Sequence, residues 1–418
     1  MITFLKISWR NILRNPRRTI IIALIIAIGL VGMTFSWAFS NGFMKQSIDT
    51  LVNTHLSHIQ IHEKGFNDNP VIKKNITESK KIYDLIKDNN NIKAITQRVK
   101  SQGMINSTET SSGVMITGID PETEINVSNI KEFLIEGKFI EKDNKNTVYI
   151  GKKLAEDLKV GLGDKVVLMG QTINNEVGGA AFRVTGIYKS NSEEFDNSMV
   201  FTSLNSAQKL FEIKDFISEF AIIVKNPELL NETKADIVSK ISVLPSPSNS
   251  KLQTTYEVLT WKEIMPGIAS TIEMSNKIMY VFFLIVLISI CFSIINTLFV
   301  VIFERFKELG IMKAIGTKPS QIFILVIFES FWMTVIGLII GIVLSEIFLY
   351  YFYKVGIDLS VFSKGLGMLR LGSILHPELP FSQVIECIAL TIFIVALASI
   401  YPAIVAAKIK IVEALKFV

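Results

Sequence analysis

The sequence predicts an α-helical membrane protein with four transmembrane helices and a large α+β extracytoplasmic domain inserted between helices one and two. Three observations predict it. Long apolar runs are split one and three along the 418 residues, a mostly polar stretch separates them, and basic residues collect on one side of the spans.

The first run, Thr19 to Met44, and the second, Ile278 to Phe303, each hold 26 residues without a charge. A helix needs about 20 such residues to cross a hydrocarbon core. The third run, Ile322 to Tyr353, is interrupted only by Glu329 and Glu346, and the fourth is Cys387 to Ala407. The first is too long for a signal-peptide core, and Ser36-Trp37-Ala38 is a poor cleavage site, so retention is expected.

Before the first span stand Lys6, Arg10, Arg14, Arg17 and Arg18 with no acid. The segment between spans two and three (304–318) nets +2, as does the tail from Lys408. These three flanks total +9 against a whole-chain charge of +5, leaving −4 for everything else. Basic flanks mark the cytoplasmic side. Both termini are therefore expected inside and the large domain outside, and the basic balance reflects topology rather than nucleic-acid binding. The two cysteines, Cys291 and Cys387, fall in the spans, which leaves the outer domain without disulfide or thiol chemistry.

Three segments follow: 1–40, an amphipathic N-terminus and span one; 41–277, the outer domain; 278–418, spans two to four. In the outer domain, alternation predicts strands at Leu56–His62, Gly113–Ile119, Lys165–Met169, Phe182–Tyr188 and Phe220–Val224. Helical spacing of Ile82, Leu85 and Ile86 precedes the Asn89-Asn90-Asn91 break. Further helices are expected at Lys152–Leu158 and from Pro227 to Ile241, ahead of a Pro245-Ser246-Pro247-Ser248 loop. Residues 116–212 read as an inserted β-rich subdomain.

Chemical motifs are scarce. On a strand, His58 and His62 would stand about 13 Å apart, too far for one metal ion. Gly137-Lys138 and Gly151-Lys152 lack the rest of a phosphate-binding loop, and Gly161-Leu162-Gly163-Asp164 precedes a strand, which makes it a turn. No catalytic or metal residue is assigned. Glu329 lies about two turns into span three, where pairing with a basic neighbour is expected ahead of a proton-coupled role. Gly337 and Gly341 give a small-residue face for helix packing.

The most specific stretch lies between spans two and three, Glu304-Arg305-Phe306-Lys307-Glu308-Leu309-Gly310-Ile311-Met312-Lys313-Ala314-Ile315-Gly316. It reads as a short helix with charges on one side and Leu309, Met312 and Ile315 available to a partner groove. Glu308-x-Gly310-Ile311-x-Lys313-Ala314-Ile315-Gly316 resembles the coupling-helix motif of FtsX-like permeases of ABC transporters, a group that includes lipoprotein-releasing and macrolide-exporter permeases. Trp9-Arg10-Asn11-Ile12-Leu13-Arg14-Asn15 is similar to the family's N-terminus. Gly118-Ile119-Asp120-Pro121, Ile150-Gly151-x-x-Leu154-Ala155, Gly163-Asp164-x-Val166 and Val184-x-Gly186-Ile187 resemble its outer-domain signatures. Tyr401-Pro402-Ala403 and Glu413-Ala414-Leu415 resemble its C-terminus, although Ile411 stands where the family commonly has Pro.

The resemblance implies a non-catalytic permease subunit of mechanotransmission type in a bacterial inner membrane. A separate ATPase dimer, which itself binds ATP and Mg, would dock on Glu304, Arg305, Glu308, Leu309, Gly310, Lys313 and Gly316. A second permease of the family, a paralogue or another copy, would complete the assembly. Extraction of lipoproteins from the outer leaflet for a periplasmic carrier is the leading expectation. Acyl chains and membrane lipids would then meet Met33, Phe35, Trp37, Phe39 and Phe43 of span one and Met279, Phe282 and Phe283 of span two. Met265 would stand nearby, with Ile264–Ile278 forming an interfacial helix. Within the same family the alternatives are export of a drug, peptide or toxin, and regulation of cell-wall hydrolases without transport.

Overall fold

The computed structural model describes residues 2–14, 16–142, 146–190, 192–242, 256–359, 374–411 and 414. The Pro245–Ser248 loop and the tail positions Glu413 and Leu415 lie outside the described residues. The chain divides into two compact units, one formed by Met1–Lys45, Ile272–Leu359 and Ile374–Val418, the other containing Gln46–Thr271.

The first unit is helical. An amphipathic helix, Ile2–Arg14, is followed by span one (Pro16–Leu51), span two (Pro266–Glu304), span three (Pro319–Val355) and span four (Phe381–Lys408). Spans one to three hold 36, 39 and 37 residues, so at 1.5 Å per residue each is over 50 Å long and outruns a ~30 Å hydrocarbon core. The expected interfacial helix at Ile264–Ile278 is not a separate element. From Pro266 onward it is the start of span two, because nothing after that proline breaks the helix.

Span three packs closely on span one. A Cβ at Gly337 would sit 2.8 Å from Ile26 Cβ, and one at Gly341 3.1 Å from Ala27 Cα. The bundle core combines Ile22, Ile26, Leu30, Met33 and Trp37 with Phe283, Leu287, Ile290, Met333, Leu338 and Val395.

The second unit is built on one ten-stranded mixed sheet. Its strands are β1 (Ile59–Glu63), β2 (Ile92–Asn106), β3 (Ser111–Ile119), β4 (Leu134–Gly137), β5 (Thr147–Gly151), β6 (Lys165–Gln171), β7 (Val177–Tyr188), β8 (Met199–Ser203), β9 (Glu219–Val224) and β10 (Tyr256–Thr260). The order is β10-β1-β9-β2-β3-β8-β5-β7-β4, with β6 paired to β2 and β7. The 15-residue β2 belongs to both halves: Ile92–Arg98 pairs with β9, and Arg98–Asn106 pairs with β3. The β-rich block at 116–212 therefore continues the sheet instead of forming its own.

One strand starts later than expected. Leu56 closes a wide helical turn, Val52–Leu56, and Ser57 takes φ 61 before β1 begins at Ile59. Span one simply runs on through Leu51 into that turn.

Inside this unit lies a buried ion cluster. Arg98 donates from Nη2 and Nε to the two carboxylate oxygens of Glu124, at 2.6 and 3.0 Å, and Nη1 stands 3.1 Å from Glu219 Oε1. Lys100 Nζ is 2.7 Å from that same Glu219 oxygen, and Ser128 Oγ donates to Glu124 Oε1 at 2.6 Å. Burial opposes the Arg98 charge, but the two carboxylates outweigh it and hold the guanidinium pKa above its ordinary value.

Candidate functional site

The segment joining spans two and three is a short helix, Phe306–Ala314. It begins because Arg305, at φ −101 and ψ 16, ends span two, and it stops before Gly316, whose φ of +99 suits glycine. Pro319 then opens span three, its missing N–H costing nothing in a first helical turn.

A polar relay ties this helix to two others. Arg305 Nη1 donates to both oxygens of Glu329 at 2.8 and 2.9 Å, and Arg305 Nε donates to Glu308 Oε2 at 3.1 Å. The other Glu308 oxygen accepts from Arg14 Nη2 at 2.5 Å. Glu329 Oε1 also accepts from Asn11 Nδ2 at 2.7 Å. The amphipathic helix, the joining helix and span three thus share one chain of charge-assisted bonds, the stronger kind of hydrogen bond. Burial works against the charge on Arg305, yet Glu329 keeps its pKa above the usual value. For Glu308, burial is outweighed by Arg305 and Arg14, which hold its carboxyl below the ordinary range.

The opposite side of the joining helix is seated on protein. Leu309 is 2 % exposed and packs with Ile302, Ile322, Val326, Ala403, Ala406, Ile409 and Ala414. Gly310 is buried, and a Cβ there would collide with Ala414 Cβ. Lys313 Nζ donates to the Ile409 carbonyl at 2.7 Å. The expectation that Leu309 is open to a partner groove is therefore corrected. An amphipathic helix must bury its apolar stripe somewhere, and this one buries it within its own unit. What remains exposed is Glu304, Lys307, Glu308, Ile311, Ala314, Ile315 and Gly316, with Ile311 at 51 % and Ile315 at 79 %. Two large aliphatic side chains in the open at a charged helix end make a surface suited to a protein groove.

The residues expected to meet acyl chains are divided. Met33, Trp37 and Phe283 are buried in the bundle core, where Trp37 and Phe283 ring centroids lie 4.9 Å apart. They fill the bundle and do not line an open space. Met279 is half-buried against the same core, and Phe35 packs on Phe352 of span three at 5.6 Å. Phe39 and Phe43 are half-buried. Phe282 faces outward at 43 % exposed, on a strip with Ile278, Val281, Ile285 and Phe292. Met265 falls in the second unit, just before span two starts.

No group of three or more His, Cys, Asp or Glu among the described residues is placed to hold a metal. His62 is fully buried beside Glu257, and His58 Nδ1 accepts from the Val224 amide at 3.4 Å.

Sequence reasoning missed the roles of Asn11, Arg14 and Ala414. Their signals were present: two polar side chains on the N-terminal helix one turn apart, and a small residue where the tail meets Gly310.

A family model described as a MacB-like periplasmic core domain matches residues 19–240, and one described as an FtsX-like permease C-terminal region matches 280–411. The chain is 25% identical to the lipoprotein-releasing system transmembrane protein LolC of Buchnera aphidicola subsp. Schizaphis graminum, over 83% of this chain and 82% of that protein. It is 22% identical to LolE of Haemophilus influenzae, over 97% of each. Among solved structures, the periplasmic region of MacB from Actinobacillus actinomycetemcomitans aligns with TM-score 0.35 and 13% identity, covering 54% of this chain and 97% of that one.

Proposed function

Because this chain belongs to the FtsX-like ABC transporter permeases that carry a MacB-like periplasmic core domain, we propose that it turns ATP hydrolysis by a separate ATPase into movement that releases lipoproteins from the membrane. Members of this family act with ABC ATPases and partner permeases. The exposed Ile311–Ile315 face is the contact for the ATPase, and the termini lie on that side, in the cytoplasm.

The relay Arg14–Glu308–Arg305–Glu329–Asn11 carries this reading. A helix pressed from below would otherwise rock on its loop. Here it is held to the next span by a largely buried ion pair in which Arg305 Nη1 bridges both Glu329 oxygens, so a push on Ile311 and Ile315 displaces span three and the N-terminal helix together. The outward strip of span two, Ile278 to Phe292, is the surface on which a second permease and the acyl chains of the substrate meet. The apolar window of span two is the least buried of the four spans, which supports a partner there. Phe282 and Ile285, not the core residue Phe283, are then the acyl-facing positions.

Co-reconstitution with the ATPase tests both contacts. Ile311→Asp with Ile315→Asp is expected to abolish ATPase co-purification while membrane insertion persists. Phe282→Asp with Ile285→Asp is expected to keep ATPase binding and lose lipoprotein release. Normal release in both variants would sink the reading. The MacB-like core domain also fits export of a soluble peptide or drug. Release that depends on substrate acylation separates the two.

A further inference from the structure

We propose that a groove between the N-terminal amphipathic helix and span three seats one anionic phospholipid, with its phosphate between Lys6 and Arg10. The groove is an open surface cleft of about 310 Å³ lined by Leu5, Lys6, Trp9, Arg10 and Trp332. Sites for small molecules run from about 300 to 1,000 Å³. Trp9 and Trp332 form its apolar wall, their ring centroids 4.8 Å apart at 59°.

Lys6 and Arg10 stand four residues apart on one helix, hence on one face, and both are exposed. Neither makes an ion pair among the described residues, unlike Arg14 one turn on, which holds Glu308. The indole Nε1 of Trp332 is buried and has no acceptor among the described residues. The groove therefore joins an apolar wall, two unmatched cations and one unmatched donor.

Its depth selects the occupant. The same short helix bonds Glu329 through Asn11 and Glu308 through Arg14, so it lies level with charged groups at the end of the bundle. That level is a membrane boundary, where tryptophan and basic helices collect. Resting on the orientation proposed above, the boundary is cytoplasmic, where anionic lipid is enriched and each nearby Lys or Arg favours it. A zwitterionic lipid would match the indoles but not the two charges. A lipid held here ties to the bilayer the helix that grips Glu308.

Fluorescence quenching of the full-length protein in nanodiscs tests the site. Trp37→Phe with Trp261→Phe leaves Trp9 and Trp332 as the only reporters. Dibrominated phosphatidylglycerol is expected to quench at a much lower mole fraction than dibrominated phosphatidylcholine. Lys6→Glu with Arg10→Glu should remove that preference, a change of roughly 30-fold for two cations, whereas Lys6→Arg with Arg10→Lys should keep it. Equal quenching by the two lipids, or a preference that survives both charge reversals, overturns the proposal. Because the readout involves no ATPase, an uncoupled permease that still prefers the anionic lipid would refute only the coupling reading.

Discussion

Each unit of this protein contains an arginine clamped by two glutamates, and the two clamps differ in how they end. Arg98 and its partners Glu124 and Glu219 have side chains 2–3 % exposed, all held by one sheet and the short helix beside it. Arg305 is 12 % exposed and Glu329 6 %, but the chain continues through Glu308 at 47 % to Arg14 at 64 %. The first clamp reaches no further outward than Lys100, which is 12 % exposed and pairs with Glu219, whereas the second runs from the packed bundle to the surface. A closed cluster can only specify one structure. A graded one links a helix packed on the bundle to the protein surface.

The sharpest way to break that contrast is Arg98→Met. It leaves Glu124 buried with only the Ser128 hydroxyl and Glu219 with only Lys100, and removing one member of such a set costs about 3–5 kcal/mol. Denaturant unfolding of the full-length protein, followed by protease sensitivity of the outer domain, should register that loss. Arg305→Gln is expected to cost less, roughly 1–3 kcal/mol. Its main effect should be functional, with substrate-stimulated ATPase activity falling about tenfold or more at unchanged ATPase binding. If Arg305→Gln unfolds the protein as readily as Arg98→Met, the two clamps are alike and the contrast fails.

Acidification should separate the units next. Burial holds His62 below its ordinary value of 6.5 despite Glu219 and Glu257 nearby, with Lys100 adding to the depression. Below that ordinary value the unfolded chain takes up the proton first, so stability is full above it and declines as pH falls towards the depressed value. Glu219, held below its ordinary 4.5 because Lys100 and Arg98 outweigh its burial, loses its contribution further down. The outer domain should therefore melt at lower temperature at pH 5.5 than at pH 7.5, and His62→Gln should flatten the dependence. The smallest effect belongs to Arg14→Ala. It removes an exposed pair, worth about 0–1 kcal/mol, and a loss of ATPase coupling beyond about threefold would show that the surface end of the relay carries more than this.

The four spans were legible because an uninterrupted apolar run has few other meanings. The helix Lys152–Leu158 and the strands around Phe182 and Phe220 were legible for a similar reason, since their periodicity is undisturbed. β2 was not. Its alternation is interrupted by Arg98, Ser101 and Gly103, residues whose inward placement makes sense only once Glu124, Glu219 and the close backbone of Met169 are in position. The joining helix shows the same limit. Its existence and the pairing of Glu329 were readable from charge and spacing, but which face it buries depends on Ala414, about a hundred residues later in the chain. Local pattern cannot say which of two apolar edges finds a neighbour.

That contact has a consequence for how the molecule is made. Gly310 lies against Ala414, and Lys313 donates to the Ile409 carbonyl. While the chain is being synthesised, the joining helix leaves the ribosome with span two, long before either partner exists. Its seat is complete only after span four has been inserted and Ile409 and Ala414 have reached the helix. A chain stalled or clipped before Ile409 therefore leaves the joining helix without its seat, and the order of translation alone delays the final packing of that helix until the membrane part is whole.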